Sequence, residues 1–384
     1  MALLIVAGVL AVALPLTVRN LGEPLVDQVP PLRPTPPPVP SHALSIDFGI
    51  VTDPATDWDA VAARLDQVNA TTVDLNAGRV EFTAFDWPDH PEVAAQPGSD
   101  HLAVAARHLN SAPNGGTRQI NLIVDAYVPE WIKSDPSIAG VDTDGRRSTY
   151  TASAAQLAEG EVGERLISYV AALGERYDPN QIQLTELFLD NDTFGEDDLA
   201  LFEQMTGSSD WPRTDAGAID TDAAEIGTWR SDVLAGLLGR IRAALDLTRD
   251  GAGRDISLAL DVRVNWSDPG ATRPLSGHDY TILLRQRIVL QLWVYIGRSG
   301  RTPADVEPLT ADLRTAGFDM SRFIVSVGLW QGDISADPPD RLTPKELTGT
   351  VEAAETNGIT AVNVTPYSLM TPDLWTALTR AWSG

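Results

Sequence analysis

Six carboxylate side chains lie in one short segment, LTELFLDNDTFGEDDL, which runs from residue 184 to residue 199. They are Glu186, Asp190, Asp192, Glu196, Asp197 and Asp198. Carboxylates at this density suit two kinds of chemistry, because they can ligate calcium or can supply the acid and the base of a hydrolytic reaction. The spacing of the side chains, and the elements that hold them, decide between the two.

The calcium interpretation fits only the start of the segment. Asp190, Asp192 and Gly195 occupy the first, third and sixth positions of an EF-hand loop. The fifth position is Phe194 and the twelfth is Leu201, where that loop needs an oxygen ligand and a bidentate glutamate. The preceding residues also alternate like a strand, whereas an EF-hand requires a helix there. We therefore predict no calcium site.

The segment divides instead into a strand end and a helix start. Glu186 and Asp190 belong to the end of the apolar run QIQLTELFL, which is typical of a buried strand. The later acids open GEDDLALFEQM, which we predict to be a short helix, because acidic side chains in a first turn complement the helix dipole. The functional interest therefore lies with Glu186 and Asp190.

Composition restricts the chemistry further. The 384 residues include no cysteine and have a formal net charge of -25. The five histidines show no metal-ligand spacing, so we expect neither a metal nor a cofactor. They are His42, His90, His101, His108 and His278. Nucleic acids and anionic membranes need Lys and Arg on their partners, so neutral or cationic ligands fit this chain better.

The amino-terminal region is predicted to lie outside the folded domain. Residues 1–20 contain an apolar run long enough to span a bilayer, which we interpret as a signal peptide or a membrane anchor. A buried core helix is the alternative. Residues 21–42 form a Pro-rich linker with extended polyproline geometry. We expect an exported protein, extracellular or anchored to the outer face of the cytoplasmic membrane, with membrane contact only through this segment.

Residues 43–384 alternate β-rich runs with amphipathic stretches. Strand candidates lie at 43–50, 71–77, 119–127, 181–189, 255–264, 287–296, 322–330 and 358–367. Eight such units predict an α/β fold, a (β/α)8 TIM barrel that forms one catalytic domain. A doubly wound open sheet is the alternative, but no GxGxxG motif follows the first strand. We expect a monomer.

Polar and aromatic residues recur late in each predicted strand, where a barrel of this type carries its active site. A single aspartate there is often a helix cap or turn residue, but tryptophan and tyrosine do not cap helices. Aromatic rings beside carboxylates are typical of a carbohydrate-binding cleft. The predicted substrate-binding residues are Asp47, Asp74, Asp125, Tyr127, Arg263, Asn265, Trp293, Tyr295, Trp330, Gln331, Asn363 and Tyr367.

The fourth strand, QIQLTELFL, resembles that of clan A glycoside hydrolases, which are TIM-barrel enzymes. In that clan the general acid/base glutamate ends strand four, usually after an asparagine, and here Thr185 and Glu186 take these two places. The resemblance implies that Glu186 is the acid/base. It also implies a nucleophilic glutamate at the end of strand seven, but that strand reads IVSVGLWQGD and has none.

The second carboxylate is therefore open. Asp261 ends strand five, and Arg263 lies on the same side of the strand, where it would keep the aspartate ionised as a nucleophile or base. Asp190 and Asp125 are the substitutes, and Asp333 is the last acid near strand seven. We predict a glycoside hydrolase acting on an extracellular or cell-wall polysaccharide. An inert carbohydrate-binding barrel and a barrel of other function at the cell surface are the alternatives.

Overall fold

The computed structural model describes residues 40–112, 116–247, 256–268, 272–332 and 340–383. The predicted export segment, nearly all of the Pro-rich linker and Asp333 lie outside these residues. Among the described residues, none of the helices has both the length and the apolar character needed to cross a membrane.

Eight parallel strands form a closed barrel. They are β1 (Ser41–Ile46), β2 (Thr72–Arg79), β3 (Gln119–Asp125), β4 (Gln181–Thr185), β5 (Ser257–Arg263), β6 (Val289–Val294), β7 (Phe323–Gly328) and β8 (Ala361–Thr365). Each strand pairs with the next one along the chain, and β8 pairs with β1. This closure confirms the predicted (β/α)8 barrel and excludes the open sheet.

Helices surround the barrel. The main ones are Trp58–Gln67, His101–Leu109, Glu161–Tyr177, Glu196–Thr206, Ala224–Leu247, Val306–Thr315, Pro344–Ala354 and Pro372–Ala381. Shorter ones are Phe48–Thr52, Pro129–Ser134, Ala154–Ala158, Tyr280–Leu283 and Ile296–Ser299. Most of the longer helices bury one face, as Leu166, Val170 and Leu173 show in Glu161–Tyr177, whereas Ala224–Leu247 is buried around most of its circumference. The core lies between these faces and the outward side chains of the strands.

Several strands end earlier than the sequence predicts. The run predicted at 181–189 stops at Thr185, although Leu187 and Leu189 are apolar. Both leucines are 2% exposed, because the loop after β4 packs its apolar side chains into the core. The predicted helix after this loop is confirmed as Glu196–Thr206, with three acids in its first turn.

The barrel interior is unusually polar for a fold whose interior is normally filled by branched apolar side chains. Asp74 accepts hydrogen bonds from the Nδ2 groups of Asn121 (2.8 Å) and Asn363 (2.7 Å). Asn363 also bonds with the hydroxyls of Ser45 and Ser326. Asp74 and Asn363, which the sequence assigns to substrate, are thus fully buried and bonded to other interior side chains.

An insertion between β3 and β4 reaches over the carboxyl end of the barrel. It contains a hairpin, Ala139–Val141 with Arg147–Ala152. The backbone N–H of Val128 donates to the carbonyl of Tyr150 at 3.2 Å, which ties the hairpin to the segment that follows β3. This contact brings Tyr150 to the mouth of the barrel.

Candidate active site

A cavity of about 330 Å³ opens at the carboxyl ends of the strands. Its lining includes four acids and five aromatic residues: Asp47, Asp125, Glu186, Asp261, Phe48, Tyr127, Tyr150, Tyr295 and Trp330. Among the described residues, no lysine, arginine or histidine belongs to this lining. Seven of the sequence-predicted site residues therefore meet in one acidic and aromatic pocket.

Glu186 directly follows Thr185, the last residue of β4, and has a backbone φ of 57°. A residue other than glycine in this left-handed region is strained, and such residues concentrate at functional sites. Burial raises the pKa of Glu186, and the nearby Asp125 raises it further. Arg263 and a hydrogen bond from Tyr150 act in the opposite direction.

Asp125 ends β3, the strand next to β4, and its register partner is Thr185. Its carboxylate accepts from Asn76 Nδ2 at 3.2 and 3.4 Å. The Oδ1 of Asn76 accepts from the N–H of Gly78 at 2.8 Å, which fixes the orientation of the amide. Burial raises the pKa of Asp125 to about 6, although Asn76 and the charge of Arg79 both lower it.

Asp261 lies two residues before the end of β5 and forms part of the cavity floor. Gln183 Nε2 donates to its Oδ1 at 2.9 Å. Burial raises the pKa of Asp261 to about 7. Its register partner on β6 is Gln291, which also lines the cavity.

The predicted pairing of Asp261 with Arg263 is wrong. The guanidinium of Arg263 forms its ion pair with Asp190 and lies 3.9 Å above the ring of Phe188. Asp190 also accepts from the hydroxyl of Ser276 at 2.6 Å, and neither Asp190 nor Arg263 lines the cavity. Two residues along a tilted strand separate the floor from the rim, so Arg263 meets a loop acid rather than Asp261.

Aromatic side chains form two walls of the cavity. Tyr127 and Tyr150 stack with ring centroids 4.3 Å apart and planes 13° from parallel. On the other wall, Tyr295 contacts Trp330 at 5.3 Å. A Cβ at Gly328, the last residue of β7, would lie 2.3 Å from Tyr295 Cδ1, so this glycine makes room for the tyrosine ring.

Asp47 lies at the rim, directly after β1. Its two oxygens accept from the N–H and the hydroxyl of Ser368, each at 3.0 Å. Burial raises the pKa of Asp47, and the bonds from Ser368 oppose this effect. Asp47 therefore fastens the loop after β8 while it also faces the cavity.

Four other predicted substrate-binding residues lie away from the cavity lining. Trp293 stacks on Tyr295 at 5.5 Å and is behind it. Asn265 accepts from the N–H of Ser267 within a turn, and Tyr367 packs on Trp375. The backbone of Gln331 bonds to Asp340. Trp293 belongs to β6, whereas Asn265, Gln331 and Tyr367 lie in the segments that follow β5, β7 and β8.

Sequence reasoning missed several lining residues. Gln183 and Gln291 face the interior, and the alternation of polar residues in QIQLT was a signal for the first of them. Tyr150 lies in an inserted hairpin rather than at a strand end, so no strand-end pattern could have revealed it. Asn76 of β2 also lines the cavity and is not among the residues that the sequence assigns to the site.

The fold has clear structural relatives, although no protein-family model and no curated protein matches the sequence. The PgaB (BpsB) glycoside hydrolase domain from Bordetella bronchiseptica is similar, with a TM-score of 0.65 and 14% identity over 90% of this chain and 99% of that one. The β-amylase catalytic domain from Paenibacillus polymyxa has a TM-score of 0.59 and 12% identity, over 89% of this chain and 97% of that one. The β-galactosidase from Marinomonas ef1 has a TM-score of 0.62 and 13% identity, over 89% of this chain and 59% of that one. The chain therefore has the fold of TIM-barrel glycoside hydrolases.

Proposed function

We propose that the protein is a glycoside hydrolase that cleaves an extracellular or cell-wall polysaccharide by two-carboxylate acid/base catalysis. The observation that carries this proposal is the pair formed by Glu186 and Asp125, which project into one cavity from adjacent strands. Glycoside hydrolysis requires two carboxyl groups on either side of the scissile bond. The similarity of fold to known glycoside hydrolases supports the same class of reaction.

Glu186 is the proposed general acid. Burial and the proximity of Asp125 favour its protonated form, which is the form that can protonate the leaving glycosidic oxygen. We assign the hydroxyl of Tyr150 as a hydrogen-bond donor to this carboxyl group. As the bond between the anomeric carbon and the leaving oxygen breaks, the proton of Glu186 passes to that oxygen. The anomeric carbon forms its new bond to the second carboxylate or to a water that this carboxylate deprotonates.

Asp125 is the proposed partner, in place of the Asp261 predicted from the sequence. Its pKa of about 6 leaves it mostly ionised at pH 7, as a nucleophile or a general base must be. The pKa of Asp261 is higher, about 7, because this side chain is more deeply buried. We assign Asp261, with Gln183 and Gln291, to binding sugar hydroxyls at the cavity floor.

The walls and the charge of the cavity indicate which glycans fit. The stacked Tyr127 and Tyr150 offer an aromatic surface for the apolar face of a sugar ring. The four carboxylates and the lack of a basic side chain in the described lining disfavour uronic acids and sulfated sugars. We propose a polysaccharide of neutral or cationic sugars, reached by a protein that residues 1–20 export or anchor.

The test is a screen of the purified protein against neutral, amine-bearing and anionic bacterial glycans. We expect the wild type to release sugars from a neutral or amine-bearing polymer and Glu186→Gln to release none. Asp190→Asn is the matched control, because it removes an acid four residues away that lies outside the cavity lining. Binding without turnover would favour an inert carbohydrate-binding barrel, and absence of both would contradict the proposal.

A further inference from the structure

A buried histidine joins the two strand ends that flank the cavity. His278 is 1% exposed and does not line the cavity. Its Nε2 lies 3.0 Å from the carbonyl oxygen of Leu187, the residue after Glu186. Its Nδ1 lies 3.2 Å from the backbone N–H of Arg263, the last residue of β5. One imidazole ring therefore connects the loop after β4 to the end of β5.

The chemistry of the two partners fixes the tautomer of the ring. The backbone N–H of Arg263 can only donate, so Nδ1 must carry no proton. The carbonyl of Leu187 can only accept, so Nε2 must carry one. Only the neutral ring with its proton on Nε2 satisfies both. A second proton on Nδ1 would break the contact with Arg263.

The surroundings keep the ring neutral. Burial lowers the pKa of His278 to about 4, and the charges of Arg263 and Arg273 lower it as well. Its hydrogen bond to Leu187 and the charge of Asp190 act in the opposite direction. The neutral ring is consequently the form present at neutral pH.

The segment around His278 reinforces the connection. The N–H of Leu189 donates to the carbonyl of Ser276 at 3.0 Å, and the hydroxyl of Ser276 donates to Asp190 at 2.6 Å. The hydroxyl of Tyr280 donates to the carbonyl of Arg263 at 2.8 Å. The segment from Ser276 to Tyr280 thus holds both the loop after β4 and the end of β5.

Glu186 needs such support, because its left-handed backbone is strained and persists only where the surrounding structure holds it. We infer that His278 is a positioning residue, which fixes the carbonyl of Leu187 and thereby aims the Glu186 carboxyl into the cavity. The inference rests on the proposed function, since it assigns His278 a role in the work of the general acid.

Two conservative variants separate the contacts of the ring. In His278→Gln the side-chain amide nitrogen takes the place of Nε2 and keeps the donor to Leu187. In His278→Asn the side-chain oxygen takes the place of Nδ1 and keeps only the acceptor for Arg263. His278→Ala removes both contacts. His108→Asn is the matched control, because His108 is partly exposed and, within the part of the chain that the structure describes, its side chain bonds to Asp59 alone.

On the glycan that the wild-type protein hydrolyses, kcat should follow the order wild type, His278→Gln, His278→Asn, His278→Ala. We expect about a 3-fold loss for the first variant and about 30-fold or more for the others, with KM within about 2-fold of wild type. A purely structural role would lower the melting temperature of all three variants and leave kcat below that temperature unchanged. Equal kcat values for His278→Gln and His278→Asn would overturn the inference.

A second readout needs no substrate. Carbon-13 NMR titration of the full-length protein, with the Glu186 resonance identified by its loss in Glu186→Gln, measures the pKa of this carboxyl group. We expect the pKa to fall toward its ordinary value in His278→Asn and to stay near the wild-type value in His278→Gln and His108→Asn. An unchanged pKa in His278→Asn would overturn the inference even if a substrate is found. The predicted pKa changes without turnover on any glycan would overturn the proposed function and leave the role of His278 in placing Glu186 standing.

Discussion

The cavity and the loop that follows it use carboxylates in opposite ways. Glu186 lies in the cavity, and among the residues that the structure describes no basic side chain lies within salt-bridge distance of its carboxyl group. Asp190, four residues later, forms an ion pair with Arg263 and accepts a hydrogen bond from Ser276. Asp197 and Asp198 accept from Ser153 and from the N–H of Ala155, at the start of the helix Ala154–Ala158. The acids of this short segment therefore differ in their partners, and only Glu186 has a proposed role in the reaction.

Replacing the acid itself should give the largest effect. Glu186→Gln keeps the shape of the side chain and removes its proton, so we expect activity to fall about 10³-fold or more. Asp190→Asn should cost less than about 10-fold, because it acts only through the loop. Initial rates of sugar release at saturating substrate measure the difference. Equal losses of activity in the two variants would contradict the different roles assigned to Glu186 and Asp190.

Two of the three other cavity acids, Asp125 and Asp261, should differ next. Asp125→Asn is expected to reduce kcat about 10³-fold, because it removes the proposed nucleophile or base. Asp261→Asn should cost about 10-fold, mainly in KM, because the proposed role of Asp261 is to bind substrate at the cavity floor. Steady-state kinetics of both variants test this division. A larger kcat loss in Asp261→Asn would restore the assignment made from the sequence.

The stability of the folded protein should depend on pH through the titration of Asp261. Its folded-state pKa of about 7 lies above the ordinary value of 3.8, so the folded state binds the extra proton between these values. The free energy of unfolding should therefore fall as pH rises from about 4 to about 7. Asp261→Asn should flatten that slope and be more stable than wild type above pH 7. Urea unfolding at pH 5 and pH 8 measures both, and parallel slopes in the two proteins would contradict the shift.

The ion pair between Asp190 and Arg263 should contribute modestly to the stability of the protein. Asp190 and Arg263 are each about one-third exposed, so solvent screens their attraction. Asp190→Asn should lower the free energy of unfolding by about 1 kcal/mol, including the weakened bond from Ser276. Urea unfolding with Asp210→Asn as a control for an exposed ion pair tests this value. A loss of several kcal/mol would mean that the pair is the main support of the loop.

The smallest effect is expected at Tyr150. Its hydrogen bond lowers the pKa of Glu186, so Tyr150→Phe should raise that pKa and keep Glu186 protonated to higher pH. The alkaline limb of the kcat profile should move upward by less than about one pH unit. Tyr127→Phe, on the other side of the stacked pair, is the control. A downward shift would show that Tyr150 does not bond to the carboxylate.

Much of the fold could be predicted from the sequence, because alternation within strands and spacing between them are local properties. All eight strands overlap their predicted positions, and Asp125 and Glu186 reach the mouth as expected. Whether a polar side chain on a strand lies in the barrel interior or at its mouth was harder to predict. Asp74 and Asn363 face inward but lie in the interior, where amide and hydroxyl groups satisfy them.

Contacts between elements that are distant in the sequence could not be predicted. Arg263 and Asp261 share one face of β5, yet the tilt of the strands places Arg263 beside Asp190. Tyr150 reaches the cavity through an inserted hairpin, and the two described partners of the His278 ring are backbone groups. Such contacts depend on how the loops fold back over the barrel. Periodic patterns in the sequence carry no information about that arrangement.

Azide rescue tests the central claim, that Asp125 works opposite Glu186, most directly. Asp125→Ala leaves a space beside the anomeric carbon, which a small anion can enter. With the glycan that the wild type hydrolyses, we expect azide to restore turnover of Asp125→Ala and to yield a glycosyl azide. Asp261→Ala should show no such product. A glycosyl azide from Asp261→Ala, with none from Asp125→Ala, would contradict the account.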